Sequence, residues 1–233
     1  VDVAKMDSLE QMYLRGKIPN AQLYNAKTSI YDIAATTFKP LMLHEHFRCV
    51  PEIIGFSNML SYDYQIKPLR EASSSNLPAV VNYRVDAGQR DGKNKSNLPE
   101  AKAIVALMRA CMEQPEYVGK TFGVISLLGD EQYQLIQKEM DASISPKEIM
   151  HRNILCGNSA NFQGDERDVI FLSLVDSKDI DNPGPLHLQN YGVDDSTRKR
   201  YNVAVSRARD QLWVVHSLDV ANDLKPGDIR KKL

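Results

Sequence analysis

The residues of this chain that are best suited to chemistry fall in two short segments about forty residues apart. Residues 163–166 read Gln-Gly-Asp-Glu, and residues 202–209 read Asn-Val-Ala-Val-Ser-Arg-Ala-Arg. A guanidinium such as that of Arg207 can neutralise charge on phosphate oxygens, and a carboxylate such as that of Glu166 can accept hydrogen bonds from ribose hydroxyls. A split nucleotide site needs these groups on the side away from its phosphate-binding loop.

A phosphate-binding loop itself is missing from the sequence. Gly119-Lys120-Thr121 resembles the end of such a loop, but the loop also needs a glycine at position 114, which is Gln. The triplet also precedes an apolar run, whereas the loop must follow a strand and open a helix. We therefore expect that the chain cannot cradle a triphosphate alone.

Phe47 and Arg48 form a second candidate pair, at the end of a predicted strand. An aromatic ring can stack on a purine, and a guanidinium can form a forked contact with phosphate oxygens. The alternative is that Phe47 belongs to the core and Arg48 pairs with a surface acid. His44 and His46 alternate along the same strand but have no further ligand cluster, so we interpret them as structural and predict no metal site.

The segment from Asn158 to residue 168 joins two predicted strands and is rich in small polar residues. Gly164 permits a tight turn, and the backbone N–H groups around it and Gln163 are free to contact phosphates. Glu166 could accept hydrogen bonds from a ribose. The alternative is a solvated turn of charged residues.

The second segment is predicted to lie on a helix over residues 197–209. Tyr201, Val205, Ala208 and Leu212 follow helical spacing and would seat that helix on the core. On such a helix Arg200 and Arg207 lie nearly in line, whereas Arg207 and Arg209 point in opposite directions. The alternative for these basic residues is a solvated face.

Short apolar runs alternate with helical patterns from residue 40 onward. The runs predicted as strands lie at residues 41–43, 79–81, 122–125, 154–156, 169–172 and 212–215. Further helices are predicted over residues 100–112 and 131–140. This alternation predicts an α/β fold with a mostly parallel sheet and helices on both faces. Polar loops at residues 86–98 and 176–197 either serve a site or connect elements.

Composition sets the outer limits. The 233 residues carry a formal net charge of −1, which gives no general attraction to nucleic acid, so any such binding needs a local groove. No apolar run approaches the roughly 18 residues of a membrane span, so no membrane partner is expected. The three cysteines are far apart and not in metal-ligand spacing, which favours reduced thiols and a cytoplasmic location.

Five segments, in their order along the chain, resemble motifs of superfamily 1 helicases, in the branch of the nonsense-mediated-decay and Dna-two-type enzymes. They lie at residues 46–51, 97–101, 122–132, 162–166 and 202–209. The last two are similar to motifs V and VI of that family. The resemblance implies the second RecA-like domain, with a P-loop NTPase-type fold, of an ATP-dependent helicase or translocase.

The resemblance also implies roles for the nucleotide-facing residues. Phe47 stands where an aromatic residue stacks on adenine, and Arg48 and Arg207 stand where two arginines reach the γ-phosphate. Glu166 stands where an acid holds the ribose, and Gln163 links its loop to the nucleotide or to the nucleic acid. ATP is the implied nucleotide, with its Mg²⁺ held by a preceding RecA-like domain of the same polypeptide.

Ser126, Asn158 and Ser159 stand on the surface that meets single-stranded nucleic acid in the family, with DNA favoured over RNA. The family usually has Asp at position 160 and Thr-Pro-Tyr at 126–128, where this chain has Ala160 and Ser-Leu-Leu. Alanine cannot form hydrogen bonds through its side chain, so the departures affect nucleic-acid contacts more than nucleotide contacts.

Three functional hypotheses follow. The first is a motor domain that supplies an arginine finger and a ribose-binding acid, with residues 1–38 as a helical lead-in, 39–218 as the motor domain and 219–233 as the start of an extension. On this hypothesis the isolated chain is inactive. The second is a degenerate, non-catalytic scaffold that binds nucleic acid, and the third is a regulatory α/β domain without a motor.

Overall fold

The computed structural model describes residues 2–26, 28–71, 77–91, 94–178, 186–189 and 195–233. The chain forms two compact units, one ending at Leu43 and the other beginning at His44. This division lies five residues after the boundary at 38/39 that the sequence suggested.

The first unit consists of short helical segments. Helix α1 spans Val3–Leu9 and continues as a π-helical turn, Glu10–Leu14; a 3₁₀ turn spans Ala21–Leu23, and helix α2 spans Ile30–Ala35. A capping box starts α2, because the Ser29 hydroxyl accepts the Asp32 N–H while the Asp32 carboxylate accepts the Ser29 N–H. This part of the chain therefore contains only short helical segments.

The second unit contains a five-stranded parallel sheet and a separate pair of two-residue strands. The strands are β1 Glu45–His46, β2 Lys67–Pro68, β3 Val80–Arg84, β4 Phe122–Ser126, β5 Leu155–Asn158, β6 Arg167–Ser173 and β7 Ala208–His216. The main sheet has the order β3-β7-β6-β4-β5, and β1 pairs with β2. Five of the six predicted strands are present. The prediction at residues 41–43 is wrong, because this apolar triplet is exposed coil without a partner strand.

Helices cover both faces of the main sheet. They are α3 Pro51–Ser61, α4 Leu98–Met112, α5 Glu131–Ser143, α6 Pro146–His151 and α7 Asp195–Val205. Side chains of β6 alternate between the faces, so Ile170 and Leu172 share a cluster with α3 and α7, whereas Val169 and Phe171 share one with α4 and α5. A strand buried on both sides reads as a continuous apolar run, and the predicted α/β class is confirmed.

The helix predicted over residues 197–209 ends earlier than expected. Helix α7 stops at Val205, and β7 begins at Ala208. Tyr201 and Val205 reach the core from the helix, but Ala208 and Leu212 reach the same cluster from the strand. The helical spacing of these four residues is a coincidence of two elements that meet at one core, so Arg209 lies on a strand.

Residues 219–233, assigned above to a following extension, pack on the second unit in this structure. Leu224 and Ile229 belong to the cluster beneath α3 and α7. The Arg230 side chain is 0% exposed and forms ion pairs with Asp228 and Asp176, both at 2.7 Å. Most of the loop predicted at 176–197 lies outside the described residues. None of the helices in the described ranges is long and apolar enough to cross a membrane.

Candidate functional site

Three predicted nucleotide-facing side chains meet at the amino ends of the neighbouring strands β6 and β7. Glu166 immediately precedes β6, Arg207 immediately precedes β7, and Arg48 lies between β1 and α3. The Nε of Arg48 donates to the Glu166 carboxylate at 2.5 Å, and its Nη1 donates to the carbonyl of Ser206 at 3.2 Å. The fold thus brings Arg48 beside residues more than a hundred positions later in the chain.

Backbone and buried contacts fix this arrangement. The N–H of Val50 donates to the carbonyl of Arg209 at 3.0 Å, and the Sγ of Cys49 contacts the carbonyl of Ser206 at 3.4 Å. Burial raises the pKa of the Cys49 thiol to about 12, so it packs as a neutral group. The segment before α3 is therefore joined directly to the start of β7.

Arg207 is held by carbonyl groups. Its Nε donates to the carbonyl of Val203 and its Nη1 to that of Asp165, both at 3.2 Å. Within the described part of the chain Arg207 forms no ion pair with a carboxylate. Burial, and then the positive charge of Arg48, lowers the pKa of Arg207. An anion placed between the two guanidinium groups would relieve this repulsion, which suits a phosphate.

Arg209 also belongs to this cluster, although the sequence analysis predicted that Arg209 and Arg207 point in opposite directions. Its Nε lies 3.7 Å from Glu166 Oε1 and 3.8 Å from Asp168 Oδ1. Because Arg209 lies on β7 and not on the predicted helix, its side chain emerges on the side of the acids before and within β6. The helical spacing of Val205, Ala208 and Leu212 continues past the end of α7, so no local pattern marked the change from helix to strand.

The Gly-Lys-Thr triplet has a structural role at the same edge. Lys120 pairs with Asp210 at 2.5 Å, and Asp210 also pairs with Arg70. The N–H and hydroxyl of Thr121 donate to Asp168 at 2.9 and 2.8 Å. These contacts hold the strand ends together. The triplet precedes β4, whereas a phosphate-binding loop opens a helix.

Phe47 is 69% exposed, so the alternative that it belongs to the core is wrong. Its neighbour His46 accepts the N–H of Cys49 at 3.0 Å through Nε2, and His44 Nδ1 lies 3.1 Å from the carbonyl of Gln65. Both histidines therefore have structural partners. Across the described residues, no three His, Cys, Asp or Glu side chains form a group that could hold a metal ion.

Gln163 and Gly164 lie on the loop that crosses from the carboxyl end of β5 to the amino end of β6. Phe162 anchors the loop in the core, while Gln163 is exposed. Gly164 has φ of +87°, a left-handed conformation that favours glycine, and nothing lies within 4 Å of where its side chain would be. The loop therefore presents open backbone beside Glu166.

Ser126, Asn158 and Ser159 come together at the opposite, carboxyl edge of the sheet. With Ala160 and Arg200 they line an open cavity of about 320 Å³. The Ser126 hydroxyl is buried and donates to the carbonyl of residue 128, so it stabilises the cavity wall. Asn158 donates to the carboxylate of residue 130 at 2.8 Å and accepts two backbone N–H groups of its own loop.

Arg200 supplies a positive charge to this cavity that the sequence analysis did not assign. Its Nη1 donates to the carbonyl of Leu127 at 2.9 Å, and its own carbonyl accepts from Ser159 at 3.3 Å. Arg200 and Arg207 therefore face different sites, although they lie seven residues apart. The seven residues of β6 separate the two edges by about 20 Å at 3.3 Å per residue.

The structure also refines the position of Phe47 and Arg48. The sequence analysis placed them only at the end of a predicted strand. The structure has them after β1 of the small sheet, beside the amino ends of β6 and β7. The carboxyl ends of the strands, where open α/β sheets commonly bind ligands, form the other edge of the main sheet, with Ser126 and Asn158.

Comparison with known proteins identifies the relatives of this chain. A family model for an AAA domain matches residues 26–219. An ATP-dependent helicase MG140 homolog of Mycoplasma pneumoniae, itself described as uncharacterized, is 27% identical over 205 residues, which cover 82% of this chain and 17% of that protein. The mouse 5′-3′ DNA helicase ZGRF1 is 26% identical over 187 residues, 77% of this chain and 9% of that protein.

A solved structure, the C-terminal domain of a possible DNA helicase from Lactobacillus plantarum, is similar with a TM-score of 0.43 and 13% identity, and covers 77% of this chain and 90% of that one. The chain spans about a sixth of the Mycoplasma helicase, 17% of its length. With the family match over most of its residues and motifs V and VI in their expected order, the chain belongs to the AAA domain family and is a second RecA-like domain of the superfamily 1 helicase type.

Proposed function

We propose that this chain is the second motor domain of an ATP-dependent nucleic-acid helicase or translocase. One observation carries the proposal. Arg48, Arg207 and Glu166 converge at the amino edge of the sheet, while Ser126, Asn158 and Ser159 line a cavity at the carboxyl edge. A motor needs two such sites in one rigid body, one for the nucleotide and one for the strand.

On the nucleotide side, Phe47 stacks on adenine, and its exposure of 69% leaves the ring available for that contact. Arg207 and Arg48 meet the γ-phosphate, where negative charge develops during phosphoryl transfer. Glu166 accepts hydrogen bonds from the ribose, and the open backbone at Gln163 and Gly164 lies next to it. ATP supplies the phosphate bond that is cleaved, and these side chains bind, orient and neutralise it.

The remaining parts of the nucleotide site belong to a preceding RecA-like domain. That domain supplies the phosphate-binding loop and the acid that holds Mg²⁺, because this sequence has no such loop. Closure of the two domains brings Arg207 onto the nucleotide, and the chain alone hydrolyses none.

On the strand side, Asn158, Ser159 and Arg200 bind the backbone of single-stranded nucleic acid. Phosphate and sugar contacts carry little sequence information, so binding is expected to be tolerant of sequence. The mouse relative is named a 5′-3′ DNA helicase, which favours DNA and that direction of travel. Protein contacts with the 2′-hydroxyl of the bound strand would favour RNA over DNA.

The proposal is tested by ATP hydrolysis in the full-length protein, meaning this chain together with the domain that we propose precedes it. Turnover is measured without nucleic acid and with single-stranded DNA or RNA. We expect turnover that rises with DNA and is absent from the 233-residue chain by itself. Full-length protein without turnover under all three conditions would contradict the proposal.

A degenerate scaffold is the second candidate, and Ala160 favours it. This residue lines the cavity at the carboxyl edge and offers no side-chain hydrogen bond. A scaffold would bind single-stranded nucleic acid with an affinity that does not change when ATP is added. A motor changes its grip on the strand with the nucleotide, so the effect of a non-hydrolysable ATP analogue on DNA affinity separates the two.

A further inference from the structure

Glu166 lies between two guanidinium groups that hold it at different distances. Arg48 lies on the loop between β1 and α3 and holds Glu166 at 2.5 Å. Arg209 lies on β7, and its Nε is 3.7 Å from Glu166 and 3.8 Å from Asp168. Asp168 is itself fixed by two hydrogen bonds from Thr121. Arg209 therefore lies on the sheet itself, with its guanidinium within ion-pair distance of both acids.

Arg48 has to release Glu166 when it binds a phosphate through the fork that contains its Nε, because that N–H is already donated to the carboxylate. A forked contact with a phosphate uses two N–H groups on one side of a guanidinium. Two donor nitrogens of Arg48 are occupied, Nε by Glu166 and Nη1 by the carbonyl of Ser206. When Arg48 turns towards a phosphate, the carboxylate loses its closest positive partner while a polyanion arrives beside it.

We infer that Arg209 is a positioning residue that takes over Glu166 when Arg48 moves to the nucleotide, and so sets the enzyme's selectivity for the ribose hydroxyls. This inference rests on the proposed nucleotide site. Arg209 needs to close a gap of about one ångström to form a direct ion pair with Glu166, and Asp168 keeps its guanidinium in reach. Held in this way, the carboxylate stays directed at the sugar.

The test compares ATP with 3′-deoxy-ATP in the DNA-stimulated full-length protein. A hydrogen bond from a hydroxyl to a charged acceptor is worth about tenfold or more in kcat/KM, so the wild type should prefer ATP by about that factor. In Arg209→Gln the preference should fall to about twofold, and Arg209→Lys should restore part of it. Arg84→Gln serves as the matched control, because Arg84 is 52% exposed at the far end of β3 and pairs only with Asp86 among the described residues.

The outcomes separate three accounts. If Arg209→Gln keeps the wild-type preference, or if the wild type has none, the inference is overturned. If Arg209→Gln lowers turnover of both nucleotides equally, Arg209 contacts phosphate or supports the fold, and the inference is again overturned. Wild-type protein without any turnover contradicts the proposed function itself. If Arg209→Gln fails to fold, Arg209→Lys is used instead. Its preference for ATP over 3′-deoxy-ATP should be smaller than that of the wild type but still present.

Discussion

A buried carboxylate at the carboxyl edge of the sheet should make the domain less stable as the pH rises. Glu100, on the first turn of α4, is fully buried and has no cationic partner among its hydrogen bonds. It accepts from the Ser173 hydroxyl at 2.6 Å, the Val175 N–H at 2.9 Å and the Ser217 hydroxyl at 3.0 Å. Burial raises the pKa of Glu100 from 4.5 to about 7, against the opposing effect of these bonds.

The sign follows from proton binding. Between pH 4.5 and 7 the folded state holds a proton on Glu100 that the unfolded state releases, so the free energy of unfolding falls as the pH rises. The contribution is fully present below pH 4.5 and is lost as the pH passes through about 7. Between pH 5 and 8 the loss is about 2.5 kcal/mol, taking 1.36 kcal/mol per pH unit.

Glu100→Gln removes the titration and keeps the shape. Its amide oxygen can still accept from Ser173 and Val175, while its NH₂ group can donate to the Ser217 hydroxyl. The measurement is urea unfolding of the chain from pH 5 to pH 8, followed by the fluorescence of Trp213, the single tryptophan, which packs on the same side of the sheet as α4. The wild type should lose about 2.5 kcal/mol relative to Glu100→Gln over this range.

The comparison with Glu100→Gln isolates this group from the histidines. Burial lowers the pKa of His46 and of His216, which makes the domain less stable as the pH falls, the opposite direction. Their effect is common to both proteins and cancels in the difference. Parallel stability curves for wild type and variant from pH 5 to 8 would refute the reasoning.

Three further predictions concern the nucleotide site and the core. Phe47→Ala should weaken ATP binding by about 1–3 kcal/mol through lost base stacking, measured as the KM for ATP of the full-length protein, and an unchanged KM would remove Phe47 from the site. Gly123→Ala should destabilise the domain by about 1–3 kcal/mol in urea unfolding, because the added Cβ would lie 2.6 Å from the Ile170 side chain. Gly55→Ala serves as the control, because nothing lies within 4 Å of its added Cβ. Equal effects of the two substitutions on stability would contradict this packing. Arg230→Met should cost about 3–5 kcal/mol, because it leaves the buried carboxylate of Asp228 without its cationic partner and leaves Asp176 with Arg90 alone; a neutral result would show that these two ion pairs contribute nothing.

Local sequence patterns predicted most of the sheet. The apolar runs at residues 122–125, 169–172 and 212–215 are strands because each is covered by helices on both faces, and such burial requires continuous apolar character. The run at 41–43 has the same composition but no neighbouring strand, so composition alone could not exclude it. Pairing partners, not residue types, decide such short segments.

The geometry of the candidate site was harder to predict from the sequence than the strands of the sheet. The contact between Arg48 and Glu166 joins residues 118 positions apart, and no local pattern specifies it. Arg209 was directed away from Glu166 because a single helical period was extended over a helix and the strand that follows it. The exposed ring of Phe47 could not be distinguished from a core phenylalanine until the small two-stranded sheet was seen.

The most direct test of the central claim, that this domain donates an arginine to a shared nucleotide site, is DNA-stimulated ATP turnover of the full-length protein with Arg207→Ala beside wild type. Removal of an arginine that stabilises the transition state lowers turnover by about 10³–10⁵. We expect a loss of that size with nucleotide affinity mostly retained, because Arg207 acts where charge develops during the reaction. An Arg207→Ala protein that hydrolyses ATP at the wild-type rate would contradict the account.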